Sequence, residues 1–163
     1  MSWNSSPSIL DRVFAALPYI LAITAGLPYG VFVLQEVPAI QFLLLPIAPL
    51  LQVYMGLQRS IPFFGLIVFF ALILLVVRNE NISRFIRFNT MQAILLSFIL
   101  AVCGLILDLL MPVLGGGGLL VQTFASALFL GMLASVGYSL VQTFRGEYAD
   151  IPTISEAVHM QVR

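Results

Sequence analysis

Residues 91–111 read MQAILLSFILAVCGLILDLLM, 21 positions that hold one charged residue, Asp108, close to the end. About 20 apolar residues in a helix cross the hydrocarbon of a bilayer, and a helix satisfies its own backbone there without water. The rest of the chain has the same character. Of its 163 residues 61% are hydrophobic and only 9% charged, and the mean hydropathy is +1.08. A soluble domain carries about 25% charged residues, so this surface belongs in lipid.

Comparable stretches lie at Val13–Leu34, Ile61–Val77 and Leu119–Phe144. With Met91–Met111 they predict an all-α integral membrane protein of four transmembrane helices, forming a single polytopic domain over residues 1–163 with a polar tail from Arg145. Pro18 and Pro28, with Gly26 and Gly30, predict a kink or break in the first span. A fifth apolar stretch, Ala39–Leu57, is interrupted by Pro46 and Pro49 and preceded by Pro38. The arginines arbitrate. Four spans place Arg12, Arg78, Arg84, Arg87, Arg145 and Arg163 on one side and Arg59 alone on the other. Five spans divide them two to five. The positive-inside rule favours the cleaner split, with both termini on the cytoplasmic or stromal side. Ala39–Leu57 then reads as a re-entrant or in-plane segment, with a fifth span as the alternative. The N-terminus, without a basic region or a cleavage site, reads as neither a signal nor a transit peptide.

Small residues recur every fourth position in the last span: Thr123, Ala127, Gly131, Ser135, Ser139 and Thr143. The third shows Ala93, Ser97 and Ala101, then Gly104. In lipid, close backbone approach over small side chains drives helix association. A tight antiparallel hairpin across Pro112–Gly118 is the plain reading, and a docking face for another subunit is the functional one. Steps of four drift around a helix, so one partner need not cover every small residue. The Gly115–Gly118 run lacks the Lys and Ser/Thr of a phosphate loop and reads as a turn.

Two polar segments share the predicted internal side. Asn79–Gln92 starts with an Asn cap signal and places Ile82, Phe85 and Ile86 on one face, away from Arg84 and Arg87. That pattern suits a helix at headgroup level before it turns inward. Phe88, Asn89 and Gln92 extend the same block. In the tail, Asp150-Ile151-Pro152 resembles a helix start, followed by an apolar face of Ile154, Ala157, Val158 and Val162. Asp108, near a span end, and the solitary Cys103 and His159 form no metal or catalytic cluster. No enzyme motif is present, no cofactor or metal is implied, and seven basic against seven acidic residues give no basic footprint for nucleic acid.

Leu27-Pro-Tyr-Gly30, Arg78-Asn-Glu-Asn81, the block from Arg84 to Ala93, and Tyr148-Ala-Asp-Ile-Pro152 with Ile154-Ser-Glu-Ala157 resemble the Tic-twenty family. The likeness runs from about Leu17 to the C-terminus. It implies a four-span helical subunit of the translocon at the inner envelope of chloroplasts, or a cyanobacterial or plastid-encoded relative in a plasma, thylakoid or inner envelope membrane. No catalytic residues come with it. Arg84, Phe85, Arg87, Phe88, Asn89, Gln92, Tyr148, Asp150 and Pro152 are the positions it offers as structural or partner contacts.

Three functions follow. The first is a subunit that contacts or helps to conduct translocating polypeptides. Its intramembrane polar residues, mainly Ser, Thr and Gln, are too few for one copy to line a protein-wide pore, so other membrane subunits or a homo-oligomer are expected. The second is a structural scaffold of a larger photosynthetic-membrane complex. The third is a small-solute transporter built on proline-broken helices.

Overall fold

The computed structural model describes residues 6–115 and 117–162. Met1–Ser5, Gly116 and Arg163 lie outside the described residues, and with them one glycine of the run and one arginine of the six-to-one count. The described residues are helical, with no strand among them. Helix α1 covers Ile9–Glu36, α2 Pro38–Ser60, α3 Phe64–Val77, α4 Arg84–Leu110, α5 Leu119–Arg145 and α6 Ile154–Gln161. Four of these, α1, α2, α4 and α5, are long and apolar enough to cross a membrane.

Helix α1 opens on a capping box. Ser8 Oγ accepts from the Asp11 amide at 3.1 Å, and the Asp11 carboxylate accepts from the Ser8 amide at 2.9 Å. Pro18 and Pro28 each sit at the start of a tight 3-10 turn, Leu17–Tyr19 and Leu27–Gly30. A proline inside a helix removes one backbone hydrogen bond and crowds the turn before it, and here the local tightening to 3-10 re-aims the helix without ending it.

Helices α1, α4 and α5 form the bundle. Tyr19 meets Asn89 and Tyr29 meets Gly104, so α1 and α4 run in the same direction. Arg12 meets Phe144 while Gly30 meets Phe129, so α5 runs against α1. Arg12, Arg84 and Arg145 therefore share one end, called here the basic end; Glu36, Leu110 and Leu119 lie at the far end. Arg87 Nε donates to the Val77 carbonyl at 2.8 Å, which fixes the finish of α3 at the basic end too. From Glu36 to Arg78 the chain thus passes once from far end to basic end, in two helices.

Those two helices differ in length from the expectation. Ile61–Val77 reads as a span in the sequence, but α3 is 14 residues, about 21 Å, short of a hydrocarbon core of roughly 30 Å. The proline-interrupted stretch instead extends into a 23-residue α2. Pro38 opens α2, while Pro46 and Pro49 lie inside it, where the chain tightens to a 3-10 turn at Leu45–Ile47 and resumes as Ala48–Ser60, so they joint the helix without ending it. The break falls at Ile61–Phe63, where Phe63 takes a left-handed φ of 58°. Helix α2 leans lightly on the bundle, with Leu51 its buried residue. Tyr54 and Phe64 tie it to α3 edge-to-face, with centroids 5.3 Å apart.

The block before the third span also departs from expectation. Helix α4 begins at Arg84 with Ser83 as its cap and runs unbroken to Leu110, so no separate headgroup-level helix precedes it. The Asn79 side chain instead accepts from the Asn81 amide at 3.0 Å, holding the turn between α3 and α4.

Candidate functional site

Beyond the exposed Arg84, most of the first third of α4 is enclosed at the basic end. Phe85, Arg87, Phe88, Asn89, Thr90, Gln92, Ala93 and Ile94 are all buried. Helix α1, the end of α3, α5 and α6 supply the walls.

Its polar members bond across helices. Asn89 Oδ1 accepts from the Tyr19 hydroxyl at 3.0 Å and from Thr143 Oγ1 at 2.8 Å, joining α1, α4 and α5 at one atom. Asn89 Nδ2 donates to the Phe85 carbonyl at 2.9 Å. One turn on, Gln92 Nε2 donates to Ser139 Oγ at 3.0 Å. Buried polar groups in an apolar bundle must pair or be left at high cost, so this cluster fixes how the three helices register. Its hydroxyls and amides carry no acid–base pair.

The C-terminal segment closes the site. Helix α5 ends in a Schellman turn: the Gly146 amide donates to Thr143 and the Glu147 amide to Gln142, with Gly146 at φ 80°. The chain then folds back. Tyr148 packs edge-on against Phe85 and Phe88, with centroids 5.5 and 4.9 Å away. Ile151 and Pro152 share a cleft with Ala134 and Tyr138 of α5. Ser155 Oγ accepts from the Ile151 amide at 2.7 Å and donates to the Ala149 carbonyl at 3.1 Å, knotting the turn. Helix α6 returns along α4, burying Val158, with Val162 buried just beyond it, and the His159 ring lies 4.9 Å from Phe88. His159 and Asp150 approach to 3.9 Å at the surface.

Of the residues expected to meet partners, Phe85, Arg87, Phe88, Asn89 and Gln92 are covered by the chain's own segments. Arg84, Tyr148, Asp150 and Pro152 stay exposed around them. The small-residue stripe of α5 divides as its geometry requires. Steps of four advance about 40° around a helix each, roughly 200° over five steps. Thr123, Ala127 and Gly131 therefore face outward, Ser135 lies half-buried, and Ser139 and Thr143 point into the bundle. On α4, Ala93 and Gly104 are buried, Ser97 is half-buried and Ala101 is exposed.

The closest helix approaches lie elsewhere. A Cβ on Gly30 would stand 2.6 Å from the Phe129 ring, and one on Gly26 2.8 Å from Met132 Cγ. These two glycines, spaced as Gly-x-x-x-Gly, seat α5 on α1. Gly104 likewise leaves room for the Tyr29 ring, whose hydroxyl would occupy the place of a Cβ there. The spacing was visible in the sequence but carried the reading of a kink; Tyr19 had no signal beyond its place after Pro18.

The profile of the family described as "Chloroplast import apparatus Tic20-like" matches residues 2–158. A Tic20 family protein of Synechocystis sp. is 44% identical over 163 residues, covering 100% of this chain and 99% of the relative. Protein TIC 20-v, chloroplastic, of Arabidopsis thaliana is 34% identical over 98% of this chain and 74% of its own length. Tic20 family protein Ycf60 of Porphyra purpurea is 33% identical over 98% of this chain and 79% of its own.

Proposed function

The chain belongs to the Tic20-like family, and from that premise we propose that it is a non-enzymatic membrane subunit of a protein translocation complex, contacting passing polypeptides only as part of an assembly. The observation that carries this reading is the division of polar and small residues between inside and outside. Tyr19, Asn89, Gln92, Ser139 and Thr143 turn inward to one another and are fully buried, which withdraws them from any water-filled path. Thr123, Ala127 and Gly131 turn outward, and a Cβ on Gly131 would meet nothing within 4 Å. A face that lets another backbone approach closely is what joins helices in lipid.

The proposed topology has four crossings: α1, the α2–α3 pair taken together, α4 and α5. By the positive-inside rule the basic end, with both termini, faces the cytoplasm or stroma. Arg84 and Tyr148, beside the enclosed start of α4, are then the positions offered to polypeptides or to neighbouring subunits at that surface.

Photo-crosslinking in native membranes from probes at Arg84 and Tyr148 tests the role. Adducts to many unfolded precursors, lost when translocation is blocked, are the expected result. Adducts to a fixed set of membrane subunits alone would replace it with the scaffold reading, which the outward small-residue face suits equally.

A further inference from the structure

Helix α2 reaches the basic end by itself. Ile47 and Leu50 share a cleft with Ile20 and Ile23 of α1. Further along, Tyr54 shares a cavity with Phe14 and Leu17. The two helices therefore run antiparallel in a steady register, and each step along α2 is a step toward Arg12. Its 23 residues measure about 34 Å, enough for a hydrocarbon core of about 30 Å. Arg59, about 7.5 Å past Tyr54 along the helix, comes level with the start of α1. It lies in the last turn of α2, where a cation meets the negative end of the helix.

Helix α3 then has both of its ends in the same half of the membrane. Phe64, at its start, meets Tyr54 edge-on, and Val77, at its finish, accepts from Arg87. Between them Val68 and Leu72 wall the same cavity as Ile82 and Ile86. A helix held in this way lies along the membrane and not across it. Its outward stripe, Leu66, Ile67, Phe70 and Leu74, is exposed and wholly apolar. The stripe has no small residue to let another helix backbone come close, unlike the Gly131 face of α5, so flexible lipid chains suit it better than a partner helix. Arg59 precedes the stripe and Arg78 follows it. Both are exposed, and neither is in an ion pair among the described residues; Glu80, the nearest acid along the chain, is in none either. An apolar face set between two such cations at headgroup level attracts lipid of negative charge.

We infer that α3 is a one-leaflet helix whose partner is the anionic phospholipid of the basic-side leaflet: acyl chains lie along Leu66, Ile67, Phe70 and Leu74, and headgroup phosphates sit at Arg59 and Arg78. The in-plane character read for Ala39–Leu57 in the sequence thereby falls to α3. Arg59, set alone on the far side by the count of arginines, joins Arg12, Arg78, Arg84, Arg87 and Arg145. The inference rests on the four-crossing topology proposed above and not on the translocation role.

Two measurements on the full chain test it. In native membranes and a Cys103→Ala background, Ser60→Cys is expected to react with an impermeant reagent from the side that labels Arg78→Cys. Reaction from the side that labels Glu36→Cys, with Arg78→Cys still opposite, overturns the one-leaflet placement and leaves the four crossings and the translocation role standing. In vesicles of phosphatidylcholine and phosphatidylglycerol in equal amounts, spin-labelled lipids report which of the two the protein surface prefers. The wild-type chain is expected to prefer phosphatidylglycerol. Arg59→Gln with Arg78→Gln is expected to lower that preference roughly twofold, averaged over the whole lipid shell. Arg145→Gln, which removes the same charge from the same end beside its partner Glu147, is expected to change it less than either single variant. All three arginines are exposed, so helix content is expected to stay unchanged. No drop in the double variant, or an equal drop in Arg145→Gln, overturns the lipid assignment.

Discussion

Arg12 Nη1 donates to the carbonyl oxygen of Phe144 at 2.9 Å, joining residues 132 positions apart. The guanidinium thereby satisfies one of the open carbonyls at the end of α5 and places positive charge at the negative end of that helix. It also lies against Gly146, where a Cβ would stand 3.0 Å from Nη2. Gly146→Ala is expected to destabilise the bundle by about 1–2 kcal/mol from its left-handed backbone alone, with displacement of Arg12 added. Arg12→Ala is expected to cost about 1 kcal/mol. Unfolding in mixed micelles, with the double variant less destabilised than the sum, checks the coupling.

Asn89 offers one oxygen to two donors, and its loss strands the Tyr19 hydroxyl while Thr143 keeps the Ser139 carbonyl at 2.7 Å. Asn89→Leu is expected to destabilise more than Tyr19→Phe or Thr143→Val. Single interhelical hydrogen bonds in membranes average about 0.6 kcal/mol, whereas a buried group left unpaired costs about 1–3 kcal/mol. The same unfolding assay ranks the variants, and equal effects would deny the shared acceptor its role.

Two classes of glycine substitution should separate folding from assembly. Gly30→Leu drives a side chain into the Phe129 ring, and overpacking of that kind costs about 1–3 kcal/mol or more. Gly131→Leu meets open space and is expected to leave the isolated chain as stable as before. On native gels, however, Gly131→Leu is expected to shift the complex to smaller species. An intact complex would remove this face from the assembly.

The tail is expected to depend on Phe88. Phe88→Ala removes a fully buried ring that carries both Tyr148 and His159, a change worth about 3–5 kcal/mol in a core. Limited proteolysis should then cut between Gly146 and Ile154 faster than in the wild-type chain, while α5 stays protected.

Topology has a direct readout. In a Cys103→Ala background, single cysteines at Arg78 and Arg145 are expected to react with an impermeant reagent from one side, and a cysteine at Glu36 from the other. Reaction of Arg78→Cys together with Glu36→Cys would instead require α2 and α3 to cross separately.

The long apolar runs made α1, α4 and α5 legible, because a backbone in lipid has few alternatives to a helix. The prolines did not give the extent of α2. Pro46 and Pro49 joint a helix that continues, whereas Pro62 stands where the chain does break, after an extended Ile61, and residue type alone does not tell these prolines apart. The basic-end block was legible as special but not as enclosed. Periodicity tells which residues share a face of α4, not that α1, α3, α5 and α6 close around most of it at once. Thr90 and Thr143 are alike in residue type, and the fold sets them apart: Thr143 Oγ1 has Asn89 and the Ser139 carbonyl within reach, whereas Thr90 Oγ1 is buried without a partner.

The enclosure of α4 sets an order on the making of this protein. As the chain is synthesised, Asn89 enters the membrane with Tyr19 already there to meet it, but Gln92 precedes its partner Ser139 by 47 residues. Its amide must be sheltered by lipid defects, by the insertion machinery or by a neighbouring protein until α5 arrives. Helix α6 follows the other helices along the chain, so the wall it provides is added only after they are in place. A chain cut short before Ile154 would carry all its long helices and still lack the cover that Val158 and Val162 give Phe88 and Val77.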